Sequence, residues 1–291
     1  MSDFNFRTSE EASWRNNAGS RYFKTISIQR PKNSIPIGLN MIDIGTGANV
    51  RVKAYTDRIS TRDANEGNGE FNADIHLDSW WDTKFLAAGC TWLDLSNRGP
   101  LDGFQWGTVN SSQMFAEKQQ KVKFPRQPGS GKGFNSPPNV IVWLRSLDVA
   151  EGQNTRFEAF VTDITTRDFT LHLRSWGGTL VYDTAVDWIA VSTDNPEARV
   201  GQFTPEGAPS ELDGGKIGYT EKFDFDKPFS HPPRVLVALN KLDVGNEKYL
   251  RIEANAQNIT EDGFEMVINS WDDTVLYSGA AAYIAIEDLD S

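Results

Sequence analysis

An arginine followed at a short interval by a tryptophan occurs three times in this chain. Arg51-Val52-Lys53-Ala54 leads to Ser79-Trp80-Trp81-Asp82-Thr83, Arg156-Phe157-Glu158-Ala159 to Ser175-Trp176-Gly177-Gly178-Thr179, and Arg251-Ile252-Glu253-Ala254 to Ser270-Trp271-Asp272-Asp273-Thr274. A guanidinium offers a planar fork of donors and keeps its charge at any physiological pH, while an indole offers a broad apolar face. Together they suit a ring that carries C–H groups on one face and oxygens at its rim, as a pyranose does. Asp43, Asp148 and Asp243 stand upstream of the arginines at the start of polar turns (Gly45–Asn49, Glu151–Asn154, Gly245–Lys248). An aspartate in such a place ordinarily holds backbone N–H groups, and that is the role expected of these.

Other chemistry finds little to work with. Three histidines and the lone Cys90 give no transition-metal site, no disulfide and no Cys–His nucleophile, so neither a metal nor a cofactor is expected. Gly129-Ser130-Gly131-Lys132-Gly133 lacks the spacing and the Ser/Thr of a phosphate-binding loop and reads as a flexible loop. Forty acidic residues guarantee that some carboxylates meet, so a glycan hydrolase would need two of them about 5 to 10 Å apart beside a cleft, which spacing alone does not reveal. The expected activity is binding without catalysis.

The elements that must position these residues are strands. Asn139–Asp148 and Arg234–Asp243 are β-branched runs entered from Pro137-Pro138 and Pro232-Pro233, and convincing helical periodicity is absent. Recurrence of the pattern with a period of 95 between the second and third copies makes the chain a triplication: residues 1–98, 99–195 and 196–291. Short strands joined by turns imply an all-β fold of antiparallel sandwiches. Within each Arg strand the apolar alternation (Val52/Ala54, Phe157/Ala159, Ile252/Ala254) points inward, which sets the arginines on the outward face and, by the same parity, Trp80, Trp176 and Trp271 on a polar face. On that reading Arg251→Ala costs under about 0.5 kcal/mol. Trp92, Trp188 and Tyr283 fall in apolar runs and are expected in the core. The first copy is altered: nine extra residues lie between its Arg and Trp, within 62–71, and read as a longer turn loop.

A net charge of −11 argues against nucleic acid as partner, and no apolar run is long enough to insert in a membrane. The start of the chain shows no secretory signal, so a cytoplasmic location is expected, with release by a non-classical route or lysis as the way outside.

The joint pattern in residues 232–286 (Pro-Pro, a β-branched strand, Leu-Asp-Val, Arg-x-x-Ala, Asn-Ile-Thr, Gly-Phe, Ser-Trp-x-x-Thr-x-x-Tyr) resembles the H-type lectin domain, the module of snail agglutinins and of the C-terminal half of discoidins. The resemblance extends over most of the second copy and the Arg and Trp strands of the first. It implies six-stranded sandwiches assembling as a trimer, here an intramolecular pseudo-trimer, with galactose or N-acetylgalactosamine held without metal in grooves between neighbours. Carried over by position, the contacting residues are Arg251, Trp271, Asp272 and Tyr277 in the third copy, Arg156, Trp176 and Tyr182 in the second, and Arg51, Trp80 and Trp81 in the first, where Leu86 replaces the tyrosine. The family's upstream Asp/Gly element, given by the neighbouring protomer, falls at Asp213-Gly214. Such a protein is a multivalent agglutinin whose partners are glycans or glycoconjugates. Two alternatives stay open at this level. The Arg and Trp faces could be used up in seams between the domains, giving a structural or interaction module, and the copies could be separate beads on a string.

Overall fold

The computed structural model describes residues 5–8, 21–28, 34–61, 71–95, 102–114, 116–126 and 133–287. Among them the chain is all-β, as the strand patterning requires, with antiparallel pairing throughout. Unit one supplies β1 (Asn5–Arg7), β2 (Arg21–Ile28), β3 (Ile37–Ile44), β4 (Val50–Thr61), β5 (Phe71–Asp78) and β6 (Phe85–Trp92). Unit two supplies β7 (Phe104–Met114), β8 (Lys118–Lys123), β9 (Asn139–Val149), β10 (Thr155–Thr162), β11 (Asp168–Arg174) and β12 (Val181–Val191). Unit three supplies β13 (Ala198–Phe203), β14 (Ser210–Glu211), β15 (Ile217–Asp224), β16 (Arg234–Val244), β17 (Leu250–Gln257), β18 (Gly263–Ser270) and β19 (Leu276–Ile286). The loop insertion of the first unit and the Gly129–Lys132 stretch lie outside the described residues.

No sheet belongs to one unit. The three sheets run β2-β5-β4-β9-β12-β7, β8-β11-β10-β16-β19-β13 and β14-β15-β18-β17-β3-β6-β1, so each joins strands of two units. The joins are β4 on β9, β10 on β16 and β17 on β3. Unit one therefore pairs with two, two with three, and three with one, closing a ring in which the inner strand edges of every unit are covered by a neighbour. A beads-on-a-string chain has no place for these pairs. We call the joins the first, second and third seams in that order.

Within each unit, the two half-sheets pack face to face through side chains of the inward parity. Phe124 and Phe169 set their rings edge-on to Trp188 in unit two, Phe223 stacks on Phe264, which meets Tyr283 edge-on, in unit three, and Trp92 is buried in unit one. A second, axial core forms where β3, β9 and β16 touch one another. Gly38, Trp143 and Ala238, each five residues before its unit's aspartate, meet there: a Cβ added to Gly38 would lie 2.5 Å from Ala238 Cβ and 2.7 Å from Trp143 Cβ. One large side chain and two small ones fill a space that three equal residues would overfill or leave hollow. The Trp143 indole N–H is satisfied by donating to the Ala282 carbonyl at 3.0 Å.

Polar contacts tie the ring further. Asp187, fully buried in unit two, accepts the Ile37 N–H of unit one at 3.0 Å and is paired with Arg145 at 3.1 Å. At one end of the ring the three Asp-to-Arg turns bond to one another: Thr46 Oγ1 donates to Asn246 O at 2.6 Å, Glu151 N to Asn49 Oδ1 at 2.7 Å, and Asn246 N to Asn154 Oδ1 at 3.3 Å. The axial plug yields a test: Gly38→Val is expected to lower the unfolding free energy in a denaturant titration by at least about 1–3 kcal/mol, the usual range for overpacking a filled core, whereas the exposed Lys222→Ala should leave it unchanged.

Candidate functional site

Strand register brings the repeated residues together, but across units. Arg51 stands opposite Asp148, Arg156 opposite Asp243 and Arg251 opposite Asp43. The arginine Nε reaches the facing carboxylate at 3.1 Å in the first seam, 3.2 Å in the second and 3.5 Å in the third. Both expectations drawn from local pattern change here. The arginines do leave the sandwich interior, as alternation demands, yet they end against the next unit, with side chains only 10, 20 and 11 % exposed. The aspartates are strand residues whose carboxylates take a neighbour's guanidinium, and turn-holding is not their main task. Removing such an arginine strands a half-buried carboxylate, so the small cost expected for Arg251→Ala does not hold.

The tryptophans complete each seam from the end of the adjoining strand. Trp176 Nε1 donates to Asp243 Oδ2 at 3.3 Å, and Trp80 bonds Asp148 in the same way. All three tryptophans are partly buried. The recurring Ser-Trp-x-x-Thr spacing now has a mechanical reason. Thr83, Thr179 and Thr274 each donate a hydroxyl to the carbonyl just before their own unit's Arg strand (Asn49, Asn154, Tyr249) at 2.8, 2.6 and 2.8 Å, which fixes the Trp turn against that strand. The residue after each Trp has positive φ: Trp81 at 58°, Gly177 at 60° and Asp272 at 54°. Only in the second seam is it the residue that tolerates this without strain, and a Cβ there would also collide with Arg156 Nη1.

Electrostatics differ from seam to seam. In the second seam Arg156 meets one carboxylate, Asp243, and spends Nη1 on the Gly177 carbonyl at 3.1 Å. In the first, Arg51 also holds Asp82, and in the third Arg251 also holds Asp273 at 2.9 Å, has Asp272 at 3.8 Å and lies over the Tyr249 ring. The Arg251 hydrogen bond pulls the Asp273 carboxyl below its ordinary range. Burial pushes Asp148 up, more than Arg51 draws it down.

Two further placements correct the sequence grouping. Tyr182 and Tyr277, 41 and 53 % exposed, lie on β12 and β19, whose register sets Asp183 opposite Asp148 and Ser278 opposite Asp243. Each tyrosine thus belongs to the sheet of its unit's aspartate, and not to that of its unit's arginine. Tyr182 flanks the first seam and Tyr277 the second, while Leu86 takes that place in the third. Gly214 lines a groove of about 490 Å³ at the third seam together with Trp271, Asp272 and Asp43, so it serves the groove of its own unit's tryptophan, and Asp213 opens on a different hollow. Local pattern did not reveal that Asp43, Asp148 and Asp243 face the arginines; their fixed interval before the arginine was the signal.

Residues 119–191 and 220–286 match the model of the H-type lectin domain. Two of the three units thus carry a match to that domain, over just under half of the chain. The H-type lectin match leaves the first unit uncovered, in keeping with its altered sequence, although its strands pair in the same register as the others. A discoidin-1 polypeptide of Dictyostelium discoideum is 24% identical over 207 residues, covering 69% of this chain and 76% of that protein. A protein described as ATP synthase subunits region ORF 7 of Fuscovulum blasticum is 31% identical over 81 residues, 28% of this chain and 70% of that protein. The matched segments support a carbohydrate-binding lectin.

The buried pair of the first seam is open to measurement. Arg51→Met is expected to cost about 3–5 kcal/mol of stability at neutral pH, the usual penalty for orphaning a buried charge. Asp148 already has a folded-state pKa above its unfolded value, so the fold binds a proton there more readily than the unfolded chain does and regains relative stability as pH falls through that window. The deficit of the variant should therefore shrink between neutral pH and about pH 4 when unfolding is followed by urea titration at each pH; a deficit that does not change with pH would mean that Asp148 finds another partner.

Proposed function

We propose that the protein is a multivalent, metal-independent lectin for terminal galactose or N-acetylgalactosamine-type glycans, which it binds in the seams and does not cleave. The observation that carries this reading is the convergence, at each seam, of an arginine and a part-exposed tryptophan from one unit with an aspartate from the next. An Arg–Asp pair held this way presents fixed donors and acceptors side by side, which suits vicinal hydroxyls, and the indole beside it suits the C–H face of the sugar. The second seam is the best equipped, having Arg156, Trp176, Asp243 and the exposed Tyr277, with no additional carboxylate on its arginine. Each seam alone would bind weakly, since a millimolar site amounts to only about 4 kcal/mol. Three on one ring would give avidity on a surface bearing many copies of the sugar.

The seam pairing also favours a second reading, in which Arg and Trp serve assembly alone. It requires the tryptophans to be fully covered, whereas each is only partly buried. Trp176→Ala decides between the two. Isothermal titration with galactose and N-acetylgalactosamine should show the loss of one site in three, with the thermal midpoint little changed. Unaltered stoichiometry together with a large fall in stability would favour the assembly reading.

A further inference from the structure

The outer faces of the three units are not alike. Counting along the Arg strand and the Trp strand from each seam, the first row after the Arg and Trp holds Lys53 and Asp78 in unit one, Glu158 and Arg174 in unit two, and Glu253 and Asn269 in unit three. The next row holds Tyr55 and His76 in unit one, stacked at 4.6 Å, and Phe160 and His172 in unit two, stacked at 4.5 Å. Phe23 caps the first stack, and Glu117 bonds His172 at 2.6 Å over the second. Unit three has Asn255 and Val267 in that row, and Gly218 beside Asn269 where unit one has Arg21 beside Asp78. Loss of the stack and of one long side chain leaves a hollow of about 810 Å³ on β15, β18 and β17.

The walls of this hollow are amides. Asn255 Nδ2 donates to Glu253, and Gln257 Nε2 and Asn258 Nδ2 both donate to Glu265, at 3.1, 2.9 and 2.8 Å, which spends one N–H of each amide and leaves its carbonyl oxygen and second N–H for other partners. Asn269, 2 % exposed, lines the same hollow, and its Oδ1 takes no hydrogen bond from the described residues. Thr220 adds a hydroxyl, and Val267 gives an apolar floor. Lys216 borders both this hollow and the third-seam groove that holds Trp271, so the two spaces adjoin. From Arg251 to Gln257 the track is about 20 Å long at the rise of a strand.

We propose that the third seam takes a chain of sugars and not a terminal residue alone, with the following units of an uncharged galacto-oligosaccharide lying over Lys216 and along Asn255, Val267 and Gln257. This rests on the seam reading above. Sugar hydroxyls, which both donate and accept, fit a wall of amides, while the neighbouring Glu211, Asp213 and Glu265 disfavour an anionic, sialylated chain. In the first two units the aromatic–histidine stack stands in the way.

The test is a side-chain NMR titration of the full chain with galactose and with a linear β-galactotetraose, following the Trp271 indole N–H and the Asn255, Gln257 and Asn269 amides. The tetraose is expected to shift all four residues and to bind at this seam at least fivefold more tightly than galactose, which shifts Trp271 alone. Asn255→Phe with Val267→His, which rebuilds the unit-two stack, should bring the tetraose down to the affinity of galactose and leave the galactose response unchanged. The exposed Gln257→Ala, which leaves the stack positions alone, should cut the tetraose advantage about twofold or more. Shifts at Trp271 without shifts at the amides would overturn the extension and leave the seam reading standing. Amide shifts without Trp271 would show that the hollow binds apart from the seam and would overturn the extension, and silence at all four residues with both sugars would overturn the two together.

Discussion

Everything in this molecule turns on one ion pair made between units. An arginine at the first turn of one strand faces an aspartate at the far end of another, three times over, and the pairing fixes which strands lie side by side. A pair of this kind, taken half out of water, is weak as a source of stability but strong as a specifier, because the wrong register leaves two charges unmatched. Backbone hydrogen bonds would tolerate a slip along β4, β10 or β17; the guanidinium does not. The same contact that sets the register also lies in the groove proposed to hold the sugar.

The three seams of this one chain are not alike. The second seam keeps a single carboxylate on its arginine and glycine at the strained turn, the first adds Asp82 and the exposed Trp81, and the third adds Asp272 and Asp273 and opens onto an amide-lined face. A homotrimer would have had to accept each of these changes in all its sites. The ring also needs none of the entropy that joining separate chains would cost, since loop closure through the short links is already supplied by the chain.

How much of this was legible in advance depends on the range of the interaction. Alternation along β10 and β17 placed Phe157, Ala159, Ile252 and Ala254 inside without error, because the two-residue period of a strand is local. The same alternation set Arg51 on the other face, but which surface that face meets is decided by a strand 97 positions away, and no local pattern encodes it. Tyr182 and Tyr277 were grouped with the wrong arginine for a related reason: they follow the tryptophan closely in the chain, yet the turn between carries them to the other sheet of the unit. Asp43, Asp148 and Asp243 looked like turn residues since a turn does follow them. Their partners lie in another repeat, and only their equal distance from each arginine hinted at a shared task.

The single tryptophan on the axis carries a consequence for descent. Three copies of Trp143 could not occupy the centre, and three of Gly38 would leave it empty, so the repeats of the present chain are no longer interchangeable parts. An ancestor made of identical protomers must have had a different plug. With the large residue in one repeat and the small ones in its neighbours, the order of the three units is part of the structure.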